Sequence, residues 1–121
     1  MKNKKTLVLG ASEKVERYAN KAVRLLQEYR HDVVAVGNKE GEINGIKISK
    51  EFPSNQDIHT VTLYLSEQNQ VPYYDKIIQL KPQQVIFNPG TENPDFEKKL
   101  NESGIETEEA CTLVLLRTNA F

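Results

Sequence analysis

The feature that most constrains the fold is a change of hydrophobic period within residues 6–26. Residues 7–9 form an unbroken apolar run, which is typical of a short buried strand. After a polar segment at residues 10–18, apolar side chains recur at helical spacing at Ala19, Ala22, Val23 and Leu26. This stretch therefore predicts a strand, a turn that begins with a glycine, and an amphipathic helix.

A helix that follows such a turn offers a place for an anion. Its first backbone N–H groups have no partners within the helix, and the helix dipole is positive at this end. Cations outnumber acids in residues 1–39, whereas acids outnumber cations in the rest of the chain. Arg17 lies within the turn and is the favoured phosphate contact. Lys14, Lys21 and Arg24 are further candidates, although a solvated helix face explains Lys21 and Arg24 equally well.

Composition narrows the class of protein. The chain has 121 residues, 38% of them hydrophobic, so we expect one domain over residues 1–121. No apolar run is long enough to span a membrane or to form the core of a signal peptide, which predicts a cytoplasmic location. The net charge of −1 argues against generic nucleic-acid binding. With Cys111 as the single cysteine and two histidines, neither an internal disulfide nor a metal site is predicted.

Apolar runs and helical patterns alternate along the rest of the chain. Further strands are predicted at residues 32–36, 58–65, 85–87 and 105–107. A polar connection is expected to begin in residues 66–73, and helices are predicted before Lys81-Pro82 and before Ser103-Gly104. Residues 40–55 are expected to form a loop or short hairpin that packs isoleucines on the sheet edge. The tail from residue 108 fits a helix with Cys111, Val114 and Leu115 on one face, or an extended segment; we favour the helix.

Five short strands that alternate with helices predict a three-layer, doubly wound (Rossmann-like) α/β fold. Its five-stranded sheet would be mostly parallel, with helices on both faces. Because parallel strands end at the same edge of a sheet, residues 10–18 and 37–39 should be neighbours. The ligand site is expected where the first and fourth strands diverge.

Two common nucleotide motifs are absent. A nicotinamide-dinucleotide site requires three glycines where this chain has Gly10, Ser12 and Val15, and a carboxylate where the second strand ends at Gly37 and Asn38. A Walker-type phosphate loop is excluded because no Gly-Lys-Ser/Thr follows Gly10.

A set of short motifs nevertheless resembles a known family. These are VLGAS at residues 8–12, RYA at 17–19, VGNK at 36–39, ING at 43–45, NPGTEN at 88–93 and EACT at 109–112. In order and spacing the chain is similar to small single-domain CoA-binding proteins, which are themselves similar to the CoA-binding domain at the start of the succinyl-CoA synthetase alpha subunit. That family usually has a proline-containing end to its second strand, where this chain has Gly37 and Asn38.

The resemblance implies a site for CoA or a related phosphate-containing nucleotide. It places the amides of Gly10, Ala11 and Ser12, with the Ser12 hydroxyl, on the pyrophosphate and adds a charge-assisted bond from Arg17. The other residues that it implies are Tyr18, which follows Arg17 in the motif, Asn38 and Lys39 beside the adenosine and its 3′-phosphate, and Leu65, Ser66, Asn88, Pro89 and Gly90 along the pantetheine arm.

No catalytic residue is predicted. Glu92 is the one acid in the ligand-side loop after the fourth predicted strand, and a helix-capping role near Asn93 suits it better than acid/base chemistry. His31 and His59 precede strands, away from the expected ligand. Cys111 is either a small core residue or a thiol that faces the pocket and exchanges with the pantetheine thiol.

Three functional hypotheses remain at this level. The first is a module that binds CoA or a related nucleotide without chemistry of its own. The second is an acyl-CoA or phosphoryl-handling enzyme subunit that a partner chain completes, and the third is a scaffold that has lost its ligand. The apolar tail, residues 113–121, either covers a sheet edge or pairs with another copy.

Overall fold

The computed structural model describes residues 2–54 and 56–121. Its strands are β1 (Thr6–Leu9), β2 (Val33–Val36), β3 (Gly41–Ile43), β4 (Ile46–Ser49), β5 (Thr60–Leu63), β6 (Gln84–Phe87) and β7 (Glu106–Glu109). Its helices are α1 (Tyr18–Glu28), α2 (Glu67–Gln70), α3 (Tyr74–Leu80), α4 (Pro94–Glu102) and α5 (Thr112–Arg117), and a 3-10 turn, Val71–Tyr73, joins α2 to α3.

The strands form one sheet in the order β3-β4-β2-β1-β5-β6-β7. All neighbouring strands are parallel except β3 and β4, which form an antiparallel hairpin. This confirms a mostly parallel, Rossmann-like α/β fold. The predicted count of five strands is wrong, since the described residues contain seven.

The two additional strands come from the hairpin at residues 41–49. Asn44 and Gly45 both have positive φ (47° and 83°), which suits the mirror-image turns that two-residue hairpins favour. Ile43 and Ile48 are each 1% exposed, so the isoleucines do pack at this edge as expected. What the pattern did not show is that β4 also pairs in parallel with β2, which extends the main sheet.

Both faces of the sheet are covered by helices. Successive residues of β1 point to opposite faces. Leu7 belongs to a core cluster with Ile77 of α3 and Phe96 of α4, whereas Val8 belongs to a second cluster with Val23 of α1 and Leu116 of α5. The predicted three-layer arrangement is therefore present.

Several local expectations need correction. Residues 66–73, expected to begin a polar connection, contain α2 and the 3-10 turn. In the tail, residues 108–109 belong to β7 and the favoured helix is limited to residues 112–117. Its buried face carries Thr112, Leu113 and Leu116, and Val114 is 54% exposed. A six-residue helix is too short for spacing alone to fix which side meets the sheet.

The order of strands also moves the expected site. β1 lies between β2 and β5, so the chain leaves β1 toward one side of the sheet and later returns on its other side. The fourth predicted strand is β6, and β5 separates it from β1. The strands that diverge are therefore β1 and β5, not the first and fourth predicted strands. None of the described helices is long and apolar enough to cross a membrane.

Candidate functional site

A cavity of about 550 Å³ opens at the carboxyl ends of β1, β2 and β5. This is the edge of an open parallel sheet at which ligands bind, where the chain reverses direction across the sheet. The loop after β1, the loop after β2 and the segment after β5 form its walls. Eight candidate residues named from the sequence line it: Gly10, Ala11, Ser12, Lys14, Arg17, Asn38, Lys39 and Leu65.

Two glycines allow the loop after β1 to lie against the ends of β5 and β2. Gly10 has φ of 99°, and a Cβ there would lie 2.9 Å from the Tyr64 carbonyl oxygen. At Gly37 a Cβ would collide with the carbonyl oxygen of Ala11. The predicted proximity of residues 10–18 and 37–39 is therefore correct, and the absence of a side chain at Gly37 permits it.

The same contact changes what the first turn offers a ligand. The N–H groups of Gly10 and Ala11 donate to the Val36 carbonyl oxygen at 2.8 and 2.9 Å. These two amides are used within the sheet, so the expectation that they hold a pyrophosphate is corrected.

Other donors remain near the cavity. The Ser12 hydroxyl oxygen accepts from the Lys14 N–H (3.1 Å), which leaves its own hydrogen to donate outward. In the part of the chain that the structure describes, no hydrogen bond reaches the Ser12 N–H. No side chain caps α1 either, since its N-cap residue, Arg17, makes no capping bond.

The charge of the cavity is positive. Lys14, Arg17 and Lys39 line it, whereas no Asp or Glu among the described residues does. An adjoining cavity of about 200 Å³ shares Lys14 and Lys39 and adds Glu13 and Glu40. Glu13 is tied elsewhere, because its carboxylate accepts from the Glu42 N–H at 3.0 Å. An anionic group would therefore be stabilised in the larger cavity.

The wall after β5 is less polar. Leu65, Pro72 and Tyr73 line it, together with Asn69 and Tyr64. The Tyr73 ring packs against Phe52, with ring centroids 5.9 Å apart. Burial raises the pKa of Tyr64 to about 12, with the nearby Thr62 hydroxyl opposing the shift, so this phenol is neutral at physiological pH.

Three candidate residues on α1, one tyrosine and two cations, do not line the cavity. Tyr18 is 66% exposed, and the Lys21 ammonium lies 5.1 Å from the centre of its ring. The Arg24 guanidinium donates to Asn20 Oδ1 at 2.8 Å. These side chains form an outer helix face, and Tyr18 is corrected as a cavity residue.

The loop after β6 was expected to border the cavity, and it does not. Asn88 is buried and donates to Thr62 Oγ1 (2.7 Å) and to the Leu63 carbonyl oxygen (2.9 Å), while its own oxygen accepts from the Thr112 N–H. Its polar groups are therefore engaged with β5 and α5. Pro89 and Gly90 are exposed beyond it and do not line the cavity.

Two smaller expectations at these loops also change. Ser66 is exposed at the start of α2, where its hydroxyl accepts from Asn69 Nδ2 (2.9 Å), and it does not line the cavity. Glu92 does not cap α4. Its carboxylate accepts from the Gly90 N–H, and Asn93 is the cap, through a bond from the Phe96 N–H (3.1 Å).

Sequence reasoning missed the wall residues Tyr64, Asn69, Pro72 and Tyr73. A signal was present: residues 66–73, which include Asn69, Pro72 and Tyr73, follow the carboxyl end of a predicted strand, and such segments gather on the ligand side. The polar composition of residues 66–70 hid the fact that they fold back over the sheet.

The remaining candidates lie elsewhere. Cys111 is half-buried at the start of α5 and does not line the cavity. His31 and His59 lie at the opposite end of the sheet, as expected, and burial lowers the pKa of each imidazole. No group of three or more His, Cys, Asp or Glu side chains within residues 2–54 and 56–121 is arranged to hold a metal ion.

Solved structures share this fold. A search of curated proteins finds no match. A solved structure described as an uncharacterized protein is 46% identical, with each chain covered in full and a TM-score of 0.97. A hypothetical protein from Pyrococcus horikoshii OT3 is 28% identical, with 97% of this chain and 84% of that chain covered and a TM-score of 0.88.

A larger protein contains the same fold. Acetyl-coenzyme A synthetase 1 of Ca. Korarchaeum cryptofilum, solved with phosphate and ADP, is 14% identical. The match covers 88% of this chain and 25% of that one, with a TM-score of 0.71, and shows likeness of fold alone. Residues 4–117 match the family model described as the CoA binding domain. As its motifs indicated, the chain belongs to the family of CoA-binding domains.

Proposed function

We propose that this protein binds CoA, or a related phosphate-containing nucleotide, in the cavity at the ends of β1, β2 and β5. One observation carries the proposal. In a chain of the CoA-binding-domain family, this cavity gathers Lys14, Arg17 and Lys39 without a carboxylate among the described residues that line it. Its volume of about 550 Å³ lies within the range of small-molecule sites.

The two sides of the cavity suit different parts of such a ligand. Arg17 and Lys39 would contact phosphate groups through charge-assisted hydrogen bonds, and the Ser12 hydroxyl would donate one more. Leu65, Pro72 and Tyr73 offer apolar surface to the uncharged portions of the ligand, which gain from leaving water.

Calorimetric titration of the unaltered protein tests the proposal. CoA is the first probe, and dephospho-CoA, ATP and NAD are the alternatives. We expect CoA to bind more tightly than about 1 mM, an interaction of at least about 4 kcal/mol. Absence of binding by all four compounds at millimolar concentration would overturn the proposal.

Replacing the guanidinium in the cavity is the sharper test. Arg17→Ala removes a charge-assisted contact worth about 1.5–3 kcal/mol, so CoA should bind about tenfold or more weakly with the thermal midpoint unchanged. Lys21→Ala is the matched control, because this exposed cation lies one turn along α1 and does not line the cavity. Equal loss of affinity in both variants would indicate general charge attraction instead of a phosphate contact at Arg17.

A further inference from the structure

The wall after β5 projects side chains both into the cavity and outward. Leu65, Asn69, Pro72 and Tyr73 line the cavity, while Gln68 and Val71 are exposed. This segment consists of a four-residue helix and a three-residue 3-10 turn. Helical pieces of this length are not stable by themselves, so contacts beneath the segment must fix its position.

Gln70 supplies those contacts. It is fully buried, and its amide nitrogen donates to the Leu65 carbonyl oxygen (2.9 Å) and to the Thr91 carbonyl oxygen (2.7 Å). Its amide oxygen accepts from Asn93 Nδ2 at 3.0 Å. Both amide hydrogens are therefore used, and the side chain joins the cavity wall to the loop after β6.

The partners of Gln70 are themselves fixed. Asn93 is fully buried, caps α4 through the Phe96 N–H, and donates its second amide hydrogen to the Tyr74 hydroxyl at 2.7 Å. The hydroxyl of Thr91 donates to the Asn88 carbonyl oxygen at 2.7 Å. The wall is thus bonded through Gln70 to a loop anchored at the end of β6 and at the start of α4.

We propose that Gln70 is a positioning residue for the ligand, and that the loop after β6 influences the cavity through it without contacting the ligand. This inference rests on the proposed function. Since residue 70 does not line the cavity, any effect of its replacement on affinity must pass through the wall. The Leu65 carbonyl lies on the segment that carries the apolar side of the site.

Gln70→Glu is the chosen substitution because it preserves shape and the acceptor for Asn93. An ionised carboxylate in this place cannot donate, and it faces two carbonyl oxygens at hydrogen-bond distance. A protonated carboxyl can donate to one of them. Gln68→Glu is the matched control, since it makes the same change at an exposed position in the same helix.

The measurement is CoA affinity by calorimetry from pH 6 to pH 8.5, below the thermal midpoint of each variant. We expect Gln70→Glu to bind about tenfold more weakly than Gln68→Glu at pH 8.5, with part of the loss recovered at pH 6. The ratio of the two variants cancels titration of the CoA phosphates. A purely structural role would lower the thermal midpoint and leave this ratio at one across the range.

Tyr74→Phe keeps the inference testable if Gln70→Glu does not fold. It removes the distal bond from Asn93 and retains stacking on Phe96, whose ring centroid is 4.1 Å from that of Tyr74. We expect a two- to threefold loss of CoA affinity. If Gln70→Glu folds and its CoA affinity is unchanged, the inference is overturned and the proposed function stands. If Gln70→Glu does not fold, unchanged affinity in Tyr74→Phe has the same consequence. If the unaltered protein binds none of CoA, dephospho-CoA, ATP and NAD, both the inference and the proposed function are overturned.

Discussion

Two glycines beside the cavity are required for different physical reasons. Gly10 adopts a positive φ that L side chains rarely take. Gly37 has no such requirement, and space alone excludes a side chain there because the Ala11 carbonyl occupies the position of a Cβ. The positive φ of Gly10 is a constraint of the local chain, whereas the lack of space for a Cβ, at Gly37 beside Ala11 and at Gly10 beside Tyr64, exists only once β1 is paired with β2 and β5.

Two glycines, Gly37 and Gly41, differ in what a side chain would meet, and this predicts unequal effects of substitution. In Gly37→Ala the new methyl meets backbone, which must shift, so we expect a loss of about 1–3 kcal/mol in the free energy of unfolding. In Gly41→Ala the methyl meets the flexible Glu13 side chain, which can turn aside at the cost of its bond to the Glu42 N–H. Urea denaturation of both variants measures the difference. An equal or greater loss in Gly41→Ala would contradict this account.

Residue types in the site were predictable to the extent that local chemistry determines them. Arg17 and Lys14 are predicted from the turn itself as cations near a phosphate, whereas Lys39 is implied by the resemblance to CoA-binding proteins, and all three line the cavity. Asn88 was misplaced because nothing in its sequence context shows that Thr62 and Thr112, distant in the chain, take up its amide. Gln70 was missed for the same reason: its three partners lie on two separate loops.

At the scale of elements, the hairpin between β2 and β5 illustrates how turn chemistry fixes register. Positive φ at both Asn44 and Gly45 brings Ile43 opposite Ile46 and so fixes the register of β3 with β4. No atom lies within 4 Å of a Cβ built at Gly45, so any cost of a side chain there is conformational.

Gly45→Ala tests that conformational cost directly. A non-glycine residue at φ of 83° is disfavoured by about 1 kcal/mol, and we expect the free energy of unfolding to fall by that amount. Lys47→Ala, at an exposed position on β4, should change it by less than about 0.5 kcal/mol. Chemical denaturation of the two variants gives the comparison, and equal stability of Gly45→Ala and the unaltered protein would exclude strain at this turn.

The short helices show where periodicity loses its power. In α1, eleven residues provide several turns, and the predicted apolar stripe at Ala19, Val23 and Leu26 is buried. In α5 six residues provide fewer than two turns, and of the predicted stripe Val114 faces solvent while Cys111 and Leu115 are half-buried. The burial of Thr112 follows instead from its hydrogen bonds to Thr62 and Asn88.

Across the whole molecule, charge is divided between two regions. Cations line the cavity, whereas β7 at the sheet edge carries exposed Glu106, Glu108 and Glu109. Charged side chains on an edge strand disfavour pairing with other sheets.

Burial, followed by the neighbouring Glu109 carboxyl, raises the pKa of Glu97 to about 7, although the Thr107 hydroxyl opposes this shift.

The raised pKa makes global stability depend on pH. Protons bind Glu97 more tightly in the folded state, so its contribution is fully present below about pH 4.5 and is lost as pH rises through about 7. Glu97→Gln should match the unaltered protein at pH 4.5 and exceed it in stability at pH 8.

The urea midpoints of Glu97→Gln and the unaltered protein are compared at each pH in this range. Titration of His31 and His59 then contributes equally to both proteins. Glu102→Gln, an exposed carboxyl on the same helix, serves as the control and should show no such trend. A difference between Glu97→Gln and the unaltered protein that stays constant with pH would refute the assignment.

The amino-acid sequence by itself determined the alternation of strands and helices, the parallel sheet and the cationic turn after β1, because each follows from hydrophobic period and turn residues over neighbouring positions. The tertiary structure decided that β5 lies beside β1 and that the Val36 carbonyl accepts from the Gly10 and Ala11 amides. It also decided that Gln70 bonds the cavity wall to the loop after β6. These features depend on hydrogen bonds between residues far apart in the chain, because the pairing of each donor with its acceptor is determined only when the elements pack together.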